Sequence, residues 1–130
     1  MEIPPPKHHT DAFLKIVDDA KARIREITID QYREMLQSGS AAQLIDVRED
    51  SEYAAGHARG AVHLGRGVIE RDIEDVIPDK SAKLVLYCGG GFRSALAADN
   101  IQRMGYTNVL SLDGGWRAIL IAGLPVEQES

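Results

Sequence analysis

The only cysteine of the chain, Cys88, is followed by Gly89, Gly90, Gly91, Phe92, Arg93 and Ser94 in the stretch LVLYCGGGFRSALAA. One thiol cannot form an internal disulfide, and no Cys/His cluster supplies the three or four ligands that a zinc site needs. The thiol is therefore either a small buried apolar group or a reagent, and its neighbours decide between the two. An apolar run ends at Cys88, and glycine can take positive φ without a Cβ clash, so the backbone is expected to wrap tightly here before a helix begins at Arg93. Successive N–H groups in such a turn, backed by a helix N-terminus, form a nest of positive potential that suits a sulfur anion. Arg93 adds an always-charged fork for an anionic substrate oxygen. Ser94 adds a hydroxyl that caps the helix or donates to the sulfur, and Phe92 stands where it could narrow the entrance or meet a thiol protein.

The elements that position this loop follow from periodicity. KLVLYC is the clearest strand, and its near-continuous hydrophobicity implies burial on both faces, as in parallel sheets. From Arg93 to Met104, Ala95, Leu96, Ala98, Ile101 and Met104 fall at helical spacing, closed by Gly105. Upstream, Asp11 to Arg25 reads as an amphipathic helix with Phe13, Ile16, Val17, Ala20 and Ile24 on one stripe, following Thr10 or Asp11 as N-cap. A short strand at Ile27, a helix from Asp30 to near Gly39 and a buried strand Gln43 to Val47 come next. REDSEYAAGH is expected to be a loop with one helical turn at Ser51 to Ala54, and AVHL a third strand. RGVIERDIEDVIP reads as a helix carrying Val68, Ile69, Ile73, Val76 and Ile77, broken by Pro78. NVLSL is the fifth strand, and GGWRAILIAGLP a last helix. Alternation of this kind predicts an α/β fold, a parallel sheet with helices on both faces, whose ligands bind at the carboxyl ends of the strands. Cys88 sits at such an end.

At 130 residues the chain suits one core. Its 44% hydrophobic, 27% charged and 5% aromatic residues are those of an ordinary globular protein with an aliphatic interior. A net charge of −5 with no basic cluster argues against nucleic acid. No apolar stretch approaches the roughly 20 residues that span a bilayer, and MEIPPPKHHTD lacks the basic start and apolar run of a secretory signal, so a cytoplasmic setting is expected. The three prolines predict a wandering tail to Thr10. His8 and His9 look incidental there, and Trp116 reads as helix packing.

The motifs together resemble the rhodanese family of sulfurtransferases over about residues 26–126. The matching blocks are LIDVRE (Leu44 to Glu49), EYAAGHARGAVHL (Glu52 to Leu64), LYCGGGFRSALAA (Leu86 to Ala98) and GYTNVLSLDGGW (Gly105 to Trp116). The resemblance divides the chain into a tail and amphipathic helix, 1–25, and a rhodanese-like domain, 26–130. It implies a five-stranded parallel sheet with a six-residue active loop, Cys88 to Arg93. It also implies that Cys88 takes the outer sulfur of a small donor such as thiosulfate, becomes a persulfide and passes that sulfur to a nucleophile in a ping-pong reaction. The acceptor would be cyanide or a thiol such as thioredoxin or glutathione. No metal or organic cofactor is called for.

Within the family blocks, Asp46 and Arg48 are expected to support the site, Arg48 pairing with a carboxylate near the loop and Asp46 bracing the pocket. His57 is expected to hydrogen-bond in a turn, and neither it nor His63 is assigned as a general base. Ala58 and Arg59 stand where the family usually has an aliphatic residue and Pro, and Ile119 where an aromatic is common. Gly89 and Gly90 give the loop none of the extra cations of thiosulfate-preferring members. Two alternatives remain, a persulfide relay module that serves other proteins, and an enzyme like the cysteine phosphatases or arsenate reductases. The latter place five residues between Cys and Arg, whereas four, Gly89 to Phe92, stand here; the tighter ring favours one sulfur over a phosphate.

Overall fold

The computed structural model describes residues 1–129. Five parallel strands form the central sheet, β1 (Arg25–Ile27), β2 (Gln43–Asp46), β4 (Val62–His63), β5 (Leu84–Tyr87) and β6 (Val109–Leu112), in the order β1-β6-β5-β2-β4. Two further strands, β3 (His57–Ala58) and β7 (Val126–Glu127), make a small antiparallel pair outside it. The helices are α1 (Asp11–Lys21), α2 (Ile29–Gln37), α3 (Asp50–Ala55), α4 (Ile69–Val76), α5 (Phe92–Arg103) and α6 (Gly115–Ala122). The fold is the expected α/β architecture, with helices on both faces of a five-stranded parallel sheet.

Strand alternation divides the interior into two layers. Leu84, Leu86 and Cys88 of the β5 segment point into a layer shared with Ile45, Val47, Ile69, Ile73, Ala97, Ala98 and Ile101. Val85 and Tyr87 point the other way, toward Tyr32, Leu44, Leu110, Leu112, Trp116 and Ile119. Register therefore decides which residue faces α5. A slip of one residue in β5 would put Tyr87 where the thiol is.

Several expectations are corrected. The predicted first helix to Arg25 stops at Lys21 and buries only Val17 and Ala20, while Ile16 is 55% exposed. It docks on α5, where the buried Asp99 accepts from Arg23 Nε at 2.9 Å and Nη2 at 2.7 Å. The helical turn at Ser51 is the longer α3, held by a capping box between Glu49 and Glu52. Val76 is exposed although it lies among the apolar residues of α4. The tail forms no regular element and makes two contacts with the domain. Its Pro4 carbonyl accepts from Arg117 Nε at 3.2 Å, and its His9 ring lies 4.3 Å from that of Phe92.

Candidate active site

The Cys88 loop hangs between the end of β5 and the start of α5. Only one of its three glycines has positive φ, Gly91 at +100°, and it is the N-cap of α5. A Cβ there would lie 3.3 Å from the Gly114 nitrogen, so Gly91 serves both the turn and a close approach. Gly89 and Gly90 have ordinary φ and space for a side chain, so the positive φ that the tight turn calls for falls on Gly91 alone.

The loop's carbonyls are held from behind. Trp116 N–H donates to the Cys88 carbonyl at 2.7 Å, and Arg117 N–H to that of Gly89 at 3.2 Å, so the N-terminus of α6 grips two consecutive peptide units. The approach requires Gly115, where a Cβ would overlap the Cys88 carbonyl oxygen. Because C=O and N–H of a trans peptide point in opposite directions, this grip turns the Gly89 and Gly90 N–H groups away from α6. Among the described residues neither has an acceptor. The next N–H, that of Gly91, donates to Cys88 Sγ at 3.1 Å.

Cys88 is 1% exposed, at the bottom of this cradle. Ser94 Oγ lies 3.6 Å from the sulfur and shares a 2.9 Å hydrogen bond with Ser111 Oγ. Both serines are fully buried, so their hydroxyls form a short polar chain under the thiol. Ser111 was not singled out from the sequence. The available signal is that it is the one polar residue of VLSL.

Arg93 does not stand free over the loop. Its Nη1 and Nη2 donate to Glu52 Oε1 at 3.1 Å and Oε2 at 3.3 Å, a two-pronged pair between α5 and α3. Burial opposes the Arg93 charge, but hydrogen bonds and charge from Glu52, helped by Cys88 and Glu49, raise its pKa above the ordinary value. Burial likewise opposes ionisation of Glu52, yet Arg93 and the Glu49 N–H hold its carboxyl below the usual range. Phe92 turns toward α1 and the tail, its ring centroid 6.4 Å from that of Phe13.

Asp46 and Arg48 lie on the other layer. They pair with each other at 2.7 Å, not with a carboxylate at the loop. Asp46 also accepts from Tyr87 Oη at 2.6 Å, and Arg48 Nη2 donates to the Gly56 carbonyl at 2.6 Å. The guanidinium sits 4.6 Å from the Trp116 ring centroid. His57 Nδ1 is 2.9 Å from the Tyr53 carbonyl, and the rings of His57 and His63 stack on either side of Tyr53. An open cleft of about 640 Å³, lined by Arg25, Gln31, Glu34 and Lys83 among others, lies at the amino ends of the strands, away from the thiol. Among the described residues no three His, Cys, Asp or Glu side chains gather as a metal site. A buried thiol on a nest of free donors can hold a small sulfur anion, and a cation beside it can meet a second charged group.

Residues 28–122 match the family model described as Rhodanese-like domain. The thiosulfate sulfurtransferase GlpE of Pseudomonas paraeruginosa is 34% identical over 100 residues, which cover 73% of this chain and 86% of that protein. A Bacillus subtilis protein with a provisional sulfur-carrier name, YrkF, is 28% identical over 94 residues, 72% of this chain; the chain spans only half of YrkF. Among solved structures, a Rhodopseudomonas palustris protein described as of unknown function and possible tyrosine phosphatase superposes with a TM-score of 0.81. It shares 30% identity, with 95% of this chain and all of that one covered.

Proposed function

The chain belongs to the rhodanese-like family of sulfurtransferases, and from that premise we propose that it moves sulfane sulfur from a donor such as thiosulfate to a thiol or cyanide through a persulfide on Cys88. The Cys88 thiolate attacks the outer sulfur of thiosulfate. The S–S bond of the donor breaks, and sulfite leaves with the electron pair. An acceptor thiolate, its proton lost to solvent, or cyanide then attacks the outer sulfur of the persulfide, and Cys88 departs again as thiolate. Two displacements replace one, and the transferred atom rides on the protein, so the reading calls for no cofactor.

The observation that carries this reading is the row of N–H groups at Gly89, Gly90 and Gly91, one bonded to the sulfur and two without acceptors among the described residues. Fixed donors of this kind hold negative charge without reorganising during the reaction. An added sulfur extends the anion away from Sγ, where the Gly89 and Gly90 donors stand ready. Arg93 would meet the sulfonate of thiosulfate, in competition with Glu52. A cytoplasmic setting is part of the same proposal, with glutathione and thioredoxin as alternative acceptors that differ in breadth; among the described residues no helix is long and apolar enough to cross a membrane.

The test is thiocyanate formation from thiosulfate and cyanide. Cys88→Ser should lose it to the uncatalysed background while keeping its circular-dichroism spectrum; turnover surviving in that variant contradicts the mechanism. The phosphatase description of the R. palustris neighbour supplies a second reading to compare. A phosphate ester would need Arg93 free to grip its oxygens and a wider ring than the four residues Gly89 to Phe92 provide. Release of phosphate from an aryl phosphate at a rate above that of thiocyanate would favour it.

A further inference from the structure

The N-terminal segment is fastened on both sides of the Cys88 loop. On one side, the His9 ring packs 4.3 Å from Phe92 and 5.2 Å from Phe13, and Lys21 Nζ lies 5.2 Å from the Phe92 centroid. Thr10, accepting from Phe13 N–H at 3.4 Å, fixes where the tail joins α1. On the other side, Arg117 Nε donates to the Pro4 carbonyl at 3.2 Å, and the same residue's N–H holds the Gly89 carbonyl. Phe92 follows Gly91, so both fastenings fall on residues joined directly to the cradle. The five steps from Pro4 to His9 reach at most about 17 Å when fully extended. Pro4, Pro5 and Pro6 fix φ and stiffen the path, which lowers the entropy cost of holding it in place. Residues 4–9 thus form a short, stiff strap whose two ends are fastened to Arg117, which holds the loop, and to Phe92, which follows it.

We propose, on the basis of sulfur transfer at Cys88, that this strap sets the breadth of the acceptor. It admits slender nucleophiles, such as cyanide and low-molecular-mass thiols, and holds back a thiol carried on a broad folded protein face. His9 and the side chain of Arg117 are its specificity-determining residues. Neither touches the sulfur, and the backbone N–H by which Arg117 supports the loop survives its substitution.

The full-length protein is compared with His9→Ala and Arg117→Ala. Cys88 is alkylated with iodoacetamide and with a maleimide carried on a long polyethylene glycol. Transfer from thiosulfate is measured to glutathione and to reduced thioredoxin. Both variants should raise the rate with the bulky maleimide about tenfold while the iodoacetamide rate changes less than about twofold. Use of thioredoxin should rise with the former and use of glutathione stay level. An unchanged ratio, a parallel rise with both reagents, or a parent protein that serves thioredoxin as fast as glutathione overturns the strap. If Cys88 is alkylated but no sulfur moves, the functional reading fails and the alkylation ratio still decides the strap. A Cys88 inert to iodoacetamide in all three proteins overturns both.

Discussion

The Cys88 loop and the Asp46–Arg48 pair lie at the same end of the sheet, on opposite layers, and they use their hydrogen-bonding groups in opposite ways. Asp46, fully buried, accepts from the Arg48 N–H, from the Arg48 guanidinium and from Tyr87. Tyr87 Oη in turn accepts from Ala58 N–H at 3.1 Å, and burial with the neighbouring Asp46 charge pushes its pKa well up, so it stays a donor. The Asp46 carboxylate, Arg48 Nε and Nη2 and the Tyr87 hydroxyl are all answered from within the protein. Around Cys88, by contrast, the Cys88 and Gly89 carbonyls are answered, while the Gly89 and Gly90 N–H groups have no acceptor among the described residues. A closed network holds elements together, here β2, β5, α3 and β3; an open one leaves donors for something that arrives from solution.

Substitutions should separate the two regions, and the largest effect is expected in the closed one. Asp46→Asn leaves Arg48 charged and unpaired in a dry site, which should cost about 3–5 kcal/mol of stability in chemical unfolding. The fraction that remains folded should still react at Cys88. Cys88→Ser should do the reverse, removing transfer with little loss of stability. Equal stability losses in both variants would break the contrast.

Gly115→Ala attacks the link between the regions, since α6 carries both Trp116 of the closed cluster and the N–H groups that hold the loop. Overlap with the Cys88 carbonyl should destabilise the protein by about 3 kcal/mol and slow transfer in the folded fraction as well. Normal transfer in folded Gly115→Ala would show that the α6 grip does not shape the cradle.

The smallest effect belongs to Glu52. Its pair with Arg93 is partly exposed, so Glu52→Gln should change stability by less than about 1 kcal/mol. Releasing Arg93 should lower the KM for thiosulfate several-fold with kcat unchanged. The pH dependence follows from the lowered Glu52 pKa. A carboxyl depressed in the folded state stabilises the fold at pH values above its unfolded range and ceases to do so as pH falls through the folded value. The KM of the parent should therefore approach that of Glu52→Gln only on the acid side of the ordinary glutamate range, and the variant should show no such drift. A KM that rises in Glu52→Gln would mean that Glu52 orients Arg93 for the donor and does not compete with it.

Much of this was legible in the sequence because the deciding signals are local. The apolar run to Cys88 set β5, helical spacing set α5, and the alternation of strands and helices set the parallel sheet, to which the resemblance added the active loop. Alternation along β5 then directs the thiol toward α5. What escaped depends on partners far away in the chain. Glu52 stood only as the first residue of a family block with no role assigned, since its partner is 41 residues on. His9 looked incidental because its packing on Phe92 exists only once α1 docks on α5. The β3–β7 pair, two residues on each side, is too short to leave a periodic trace. The three glycines pointed to a tight wrap but not to which of them makes it; only Gly91 has positive φ, and the grip on the Cys88 and Gly89 carbonyls comes from α6.

The most direct measurement is the intact mass of the purified protein before thiosulfate, after it, and again after cyanide. The account predicts a gain of one sulfur atom, mapped to Cys88 by peptide mass and removed by cyanide as thiocyanate. A Cys88 that alkylates readily yet gains no sulfur from thiosulfate or from a persulfide donor would contradict it.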